Sequence, residues 1–381
     1  MKDGFISRAI KAEFERKLVS GKVLILLGAR RVGKTEFVKN LISTHPELSV
    51  LSMNRDDLGD LELLSERRTV HYKRLLEGID LLFIDEAQNI PEAGKVLKLM
   101  VDTMPNLKVI ATGSSTFDLS NKIGEPLVGR KNTIYLFPLS QMEFNKLETY
   151  KKTSEKLESR LIFGSYPELE KYVNWEEKRE YLEEIVNAYL LKDILVYQGI
   201  RNSQKIFDLL KLIAHQIGSE VSIEELGKKL SISKNTVANY LDLLTKVFII
   251  YRLDGFSRNL RKEVTKSKKW YFYDNGIRNA IVQNFNRLRD RSDIGQLWEN
   301  YLISERLKKQ HYTRMRTNNF FWRTYDQQEL DWLEESDQHL SAFEFKWSDR
   351  KKAKAPAAFQ KAYPDANFQL VNRDNYLDFI M

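Results

Sequence analysis

The pattern that most constrains this chain is Gly28-Ala29-Arg30-Arg31-Val32-Gly33-Lys34-Thr35, which satisfies G-x-x-x-x-G-K-[ST] between an apolar run, Val23 to Leu27, and a helical stretch. The residue types dictate the chemistry. The glycines let backbone N–H groups wrap a phosphate chain, and the helix that follows turns its positive end toward it. Lys34 reaches the β- and γ-phosphates, Thr35 ligates magnesium, and Glu36 completes the expected nucleotide-binding set. Arg30 and Arg31 lie inside the loop, and the sequence leaves open which faces phosphate and which faces solvent. ATP and Mg2+ are the expected cofactors.

A loop of this kind needs a parallel sheet behind it. After an amphipathic stretch at residues 5–18, short apolar runs at Val23 to Leu27, Ser49 to Met53, Leu81 to Asp85, Leu107 to Thr112 and Thr133 to Phe137 alternate with helical segments. That alternation predicts an α/β fold with the parallel sheet of a P-loop NTPase. The third run ends in Asp85-Glu86, where Asp85 would hold the magnesium shell and Glu86 would polarise an attacking water. Two adjacent acids with two roles imply hydrolysis. The fourth run ends in Thr112-Gly113-Ser114; either hydroxyl would sense the γ-phosphate or cap the next helix. Arg130, after a glycine-bearing loop, would contact the γ-phosphate in cis or reach a neighbouring copy as a finger.

With 381 residues the chain exceeds one ordinary core, so several domains are expected. The reading divides it into an ATPase domain at 1–140, a helical lid or linker at 141–200 broken by the turn Gly164-Ser165-Tyr166-Pro167, a winged helix-turn-helix at 201–269, and a mixed α/β domain at 270–381. No cysteine is present, which excludes disulfides and thiolate chemistry and suits a cytoplasmic setting. Apolar runs such as Val247 to Tyr251 are far shorter than the ~18 residues of a membrane span, so no membrane is expected.

The net charge of +8 is unevenly placed: residues 201–270 hold fourteen Lys and Arg against seven Asp and Glu. Such a surplus is expected of a polyanion-binding face, the alternative being a solvated surface without a partner. Three helical patterns followed by β-like Phe248 to Leu253 predict the winged helix. Ser231, Ser233, Lys234, Asn235, Thr236 and Asn239 then sit at the start of the groove-reading helix. Arg258, Arg261, Lys262, Lys266, Lys268 and Lys269 fall on the presumed wing, placed for DNA phosphates.

Further on, a helix at about Gly295 to Gln310 precedes strands at Phe320 to Thr324, Gln328 to Leu333 and His339 to Trp347. Strict alternation puts Glu329 and Asp331 on one face and Leu330 and Trp332 on the other. The next strand puts Phe343, Phe345 and Trp347 on one face and Glu344 and Lys346 on the opposite one. Asp331 and Glu344, with Lys346, are expected to converge into a metal-holding catalytic site, Glu299 adding a further acid.

Across nearly its whole length the chain resembles archaeal and bacterial AAA-like ATPases that carry a C-terminal domain called DUF4143. The resemblance rests on Gly28 to Thr35, Ile84 to Gln88, Ala111 to Ser115, Leu127 to Arg130, Tyr135-Leu136-Phe137-Pro138-Leu139-Ser140, Gly164 to Glu168, the winged helix, and Gly295-Gln296-Leu297-Trp298-Glu299-Asn300. It implies a PD-(D/E)xK nuclease-like C-terminal fold whose motif maps onto Asp331, Glu344 and Lys346, with Glu299 as the helix acid. The resulting expectation is magnesium-dependent ATP hydrolysis coupled to DNA binding, with the C-terminal site open to metal-dependent DNA cleavage or processing. Its alternatives are a nucleotide-dependent switch or remodeller whose last domain only binds, and a protein-interaction regulator without DNA. ATP or ADP, DNA and further copies of the chain are the partners this reading allows.

Overall fold

The computed structural model describes residues 5–54, 57–114, 127–190, 203–257, 268–324, 327–337, 339–350 and 353–381. The chain forms two compact units, residues 1–138 with 246–248 and residues 139–245 with 249–381. Among the described residues, no helix is long and apolar enough to cross a membrane.

The first unit is built on β1 (Val23–Leu27), β2 (Val50–Asn54), β3 (Leu81–Asp85), β4 (Lys108–Gly113) and β5 (Lys131–Tyr135). They form one sheet in the order β2-β3-β4-β1-β5, with every pairing parallel. β1 is buried at all its positions, which explains its unbroken Val-Leu-Ile-Leu-Leu: a central parallel strand is covered on both faces. Full burial of each such side chain contributes about 1.5–3 kcal/mol. Helix Lys34–Ser43 turns Phe37, Val38 and Leu41 inward. Phe37 meets Phe14 of helix Lys11–Lys17 edge-on, with ring centroids 5.0 Å apart. β1 and β3 have the bounds expected from sequence. β5 starts at Lys131, two residues before the expected Thr133.

In the second unit β6 (Glu220–Val221), β7 (Ile250–Gly255), β8 (Lys268–Phe272), β9 (Asn318–Arg323), β10 (Glu329–Ser336), β11 (His339–Phe345) and β12 (Asn367–Val371) make one sheet. Its order is β12-β11-β10-β9-β7-β8-β6. The boundary expected between residues 269 and 270 therefore falls inside β8, and the segments on either side of it share a sheet. The join is the parallel pairing of Asp254 with Phe320 and Gly255 with Phe321. It is held by Phe256, which leaves the end of β7 to enter an apolar cluster with Trp322, Leu330, Leu340 and Phe359. Pairing β9 with β7 also removes an exposed edge from each.

The helical stretch after Leu139 belongs to this unit too. Asn275 and Asn279 of helix Asn275–Val282 donate to the carbonyls of Leu161 and Ile162 at the end of helix Tyr150–Phe163, at 3.2 and 2.8 Å. Gly164 then turns the chain with φ +74°, and a Cβ there would stand 1.9 Å from Asp274 Oδ1. Only glycine fits both the backbone angle and the space. The long helix Ile294–Thr313 buries Trp298, whose ring lies edge-on to Trp347 at 5.3 Å and Tyr376 at 5.2 Å.

Candidate functional site

Because every strand of the first sheet runs the same way, the C-terminal ends of β1, β3 and β4 lie on one edge, where α/β sheets bind ligands. β1 runs into the phosphate loop. Gly28 is required there, since a Cβ would stand 2.1 Å from the Leu136 carbonyl oxygen. Gly33 adopts φ +89° at the start of helix Lys34–Ser43, and its conformation turns the chain into the helix. Lys34 is buried, and its amino group donates to the carbonyls of Gly28 and Ala29, both at 3.0 Å. Arg31 is exposed and Arg30 half-buried; Val32 is buried and Glu36 exposed. Sequence reasoning passed over Arg8, whose guanidinium donates to the carbonyls of Val32 at 2.7 Å and Phe137 at 2.6 Å, bracing the loop from beneath.

Asp85 stands at the centre of this edge. One carboxylate oxygen accepts the Thr35 hydroxyl at 2.8 Å, and the other accepts the Thr112 hydroxyl from β4. Thr112 also accepts the backbone N–H of Glu86 at 3.0 Å. Glu86 is in the left-handed region, φ +53°, which turns its side chain out of the strand direction. Gln88, buried just beyond, donates to the Glu86 carboxylate and lies 3.3 Å from the Ser114 hydroxyl. Gln88 carries no charge and no period of its own, which is why pattern reading gave it no role.

Arg130 lies elsewhere. Its carbonyl accepts the N–H of Val23, the first residue of β1, so it stands at the opposite end of the sheet from the loop. Five strand residues span roughly 16 Å, beyond the reach of a side chain to the phosphates. The cis contact expected for Arg130 is thereby corrected. The guanidinium pairs instead with Asp102, and both side chains are substantially exposed.

In the second unit, helices Ser203–His215, Ile223–Leu230 and Lys234–Lys246 are followed by the antiparallel pair β7 and β8, with β6 beside β8. Ser231 (φ +55°) ends the second helix, and Gly227 leaves room for the turn, where a Cβ would stand 2.8 Å from the Ile232 carbonyl oxygen. Ser233 caps the third helix by accepting the Thr236 N–H at 3.1 Å. Ser233, Lys234, Asn235 and Asn239 are exposed, Thr236 is half-buried, and Lys234 pairs with Glu224. Arg258, Arg261, Lys262 and Lys266 lie outside the described residues. Lys269 does not belong with them: only 2% of its side chain is exposed, and it turns into the sheet to pair with Glu329.

Glu299, Asp331, Glu344 and Lys346 are all in this unit. Asp331 accepts the Phe345 N–H at 2.7 Å, Glu344 pairs with Lys346, and Glu299 accepts the Tyr271 hydroxyl at 2.6 Å. Burial pushes the Asp331 carboxyl well up from its ordinary value, with the Glu299 and Glu344 charges adding to the effect. Burial likewise raises Glu299, against the pull of Lys269. The strict alternation expected on β10 fails. Leu330 pairs with Trp322 and Leu333 with Phe320, so Asp331 and Trp332 together oppose one residue of β9. This bulge puts Leu330 and Leu333 in the same apolar cluster, while the Trp332 indole donates to Glu334 at 2.9 Å. Glu334 in turn receives Arg306 and Gln310 from the long helix. Among the described residues, no group of three or more carboxylate or histidine side chains is gathered so as to hold a metal ion.

Three family models match the chain: an AAA domain over residues 20–145, a domain of unknown function (DUF8612) over 154–288, and DUF4143, also of unknown function, over 294–378. An uncharacterized protein of Methanocaldococcus jannaschii is 25% identical, covering 96% of this chain and 84% of that one. One from Mycobacterium tuberculosis is 26% identical, covering 89% and 73%. Among solved structures, AMPPCP-bound DnaA from Aquifex aeolicus is similar with a TM-score of 0.30 and 16% identity, over 62% of this chain and 85% of that one, too low a likeness to carry an argument. The chain carries an AAA-type P-loop ATPase domain and, behind it, a DUF4143 domain.

Proposed function

We propose that the chain hydrolyses ATP with magnesium and couples turnover to DNA held by a winged-helix module in its second unit. The observation that carries the hydrolytic half is the Asp85 carboxylate, which accepts Thr35 on one oxygen and Thr112 on the other beside the phosphate loop. Thr35 and Asp85 would hold magnesium, which when bound supplies positive charge against the phosphates. The chain's own groups do the rest. Loop N–H groups and Lys34 orient the phosphates, and Glu86, aimed by its left-handed backbone and by Gln88, takes the proton of an attacking water. Ser114, hydrogen-bonded within the same group, would sense the γ-phosphate.

The DNA half rests on element order: helix, β6, helix, helix, β7, β8 is the order of a winged helix, and the largely exposed polar start of its third helix would enter a groove. It is tested by salt titration. Neutralising Arg258, Arg261 and Lys262 together is expected to weaken binding to any sequence and to lower the salt slope by about one for each DNA phosphate that these side chains neutralise. Unchanged binding would remove the wing assignment.

For the C-terminal domain our reading is gripping DNA or a partner rather than cutting, because ammonium groups of the chain itself stand among the acids: buried Lys269 pairs with Glu329 and lies 4.0 Å from Glu299, and Lys346 pairs with Glu344. Linear and branched DNA incubated with Mg2+ or Mn2+, with and without ATP, should stay intact. Cleavage by the wild type that Glu344→Ala loses would overturn this reading.

A further inference from the structure

Lys269 sits among strands that the sequence assigned to a wing, yet its side chain is almost wholly buried. A buried ammonium is costly unless opposite charge surrounds it. Here the charge is at hand: Nζ pairs with Glu329, lies 4.0 Å from Glu299, and hangs 5.2 Å from the centre of the Phe321 ring. Glu299 Oε1 also accepts the Tyr271 hydroxyl at 2.6 Å and lies against Gly218, where a Cβ would come within 3.2 Å of it. Asp331 faces the same charges, and the second ammonium, Lys346, is taken up by Glu344.

A divalent cation needs several oxygen ligands converging at about 2.0–2.6 Å, and an ammonium fixed among those oxygens opposes it by like charge. The resemblance to a nuclease fold implies such a cation, and the side chains here do not fit one. We infer that the Lys269 ammonium is the resident cation of this carboxylate cluster, standing in for a metal ion and closing the cluster to divalent cations. It fastens β8, at the base of the winged-helix module, to the long helix through Glu299 and to β10 through Glu329. The inference deepens the non-cutting reading of the domain and rests on it, but the two fail separately: DNA cleavage that Glu344→Ala abolishes sinks that reading, whereas a wild-type cation site that Asp331→Asn removes sinks this one even where no DNA is cut.

The test is Mn2+ binding by the full chain without nucleotide, read from loss of the free-ion EPR signal. Lys269→Met removes the charge and keeps the stem over Phe321. The wild type and Asp331→Asn should give the same titration. Lys269→Met should gain one site that Asp331→Asn, added to it, abolishes, and its lowered Tm should recover with Mn2+ while the wild-type Tm does not respond. A wild-type site lost in Asp331→Asn would overturn the inference, as would a folded Lys269→Met that gains none. Should Lys269→Met not fold, the comparison of wild type with Asp331→Asn decides alone.

Discussion

The Thr35 hydroxyl donates to the Asp85 carboxylate at 2.8 Å, joining the first turn of the phosphate-loop helix to the end of β3 across fifty positions of sequence. Under the proposed function these two groups would hold one magnesium ion. Thr35→Val keeps the shape and removes the oxygen. A hydrogen bond or ligand contact to a charged partner is worth about 1.5–3 kcal/mol, so phosphate release should slow roughly 10- to 100-fold and recover in part at higher magnesium. Lys34→Ala should abolish turnover. A Thr35→Val chain turning over at the wild-type rate would remove the magnesium assignment.

Glu86 and Gln88 should separate chemistry from binding. Glu86→Gln removes the general base and should lower kcat by about 10²–10⁴-fold while a fluorescent ATP analogue still binds. Gln88 is hydrogen-bonded to Glu86 and Ser114, and under the proposed function it positions them. Gln88→Ala should therefore lower kcat by a smaller factor, about tenfold, with KM unchanged. If instead KM rises and kcat holds, Gln88 serves binding rather than the aim of Glu86.

The elements around this edge were legible because each follows from a local rule. β1 is apolar throughout because it is buried on both faces, and Asp85 is legible because an acid ends an apolar strand. What escaped depends on tertiary partners. Arg8 reads as an ordinary charge until Val32 and Phe137 supply its acceptors. Lys269 reads as one more basic residue of a wing until Glu329 and Glu299, distant in sequence, turn it inward. The bulge at Asp331 and Trp332 breaks a period of two that sequence can only assume unbroken, and the pairing of β7 with β9 is fixed by Phe256 reaching a cluster made mostly by later residues.

Arg130 pairs with Asp102 on the surface of the first unit. Its pair with Asp102 is half exposed, and such surface pairs are worth about 0–1 kcal/mol, so releasing the guanidinium to a neighbour costs little. If it serves as a finger, ATP turnover per chain should rise with wild-type concentration and stay low and flat in Arg130→Ala, the gap approaching about 10³-fold. Mixing Arg130→Ala with Lys34→Ala should restore activity, since one copy supplies the loop and the other the arginine. Unrestored mixtures would exclude a finger in trans.

Asp274 gives the second unit a pH dependence whose sign is fixed. Burial raises its carboxyl to about 6, against the pull of Lys308 and the N–H groups of Ser165, Ile277 and Gly276. A carboxyl raised above its ordinary 3.8 favours the folded state when protonated, so its contribution is fully present below about pH 4 and is lost as pH rises through about 6. The shift of about two pH units corresponds to roughly 3 kcal/mol. Asp293 does not blur this window: although burial alone would raise it, Arg291 and Arg278 hold it at about 2, so its contribution disappears only in stronger acid. Asp274→Asn should destabilise the chain most near pH 4 and progressively less toward pH 7, as read by denaturant unfolding across that range. Gly164→Ala should flatten the profile in the same way, because its Cβ would displace the Asp274 carboxylate from a position 1.9 Å away. A constant difference between wild type and Asp274→Asn across the range would show that this carboxyl does not titrate with folding.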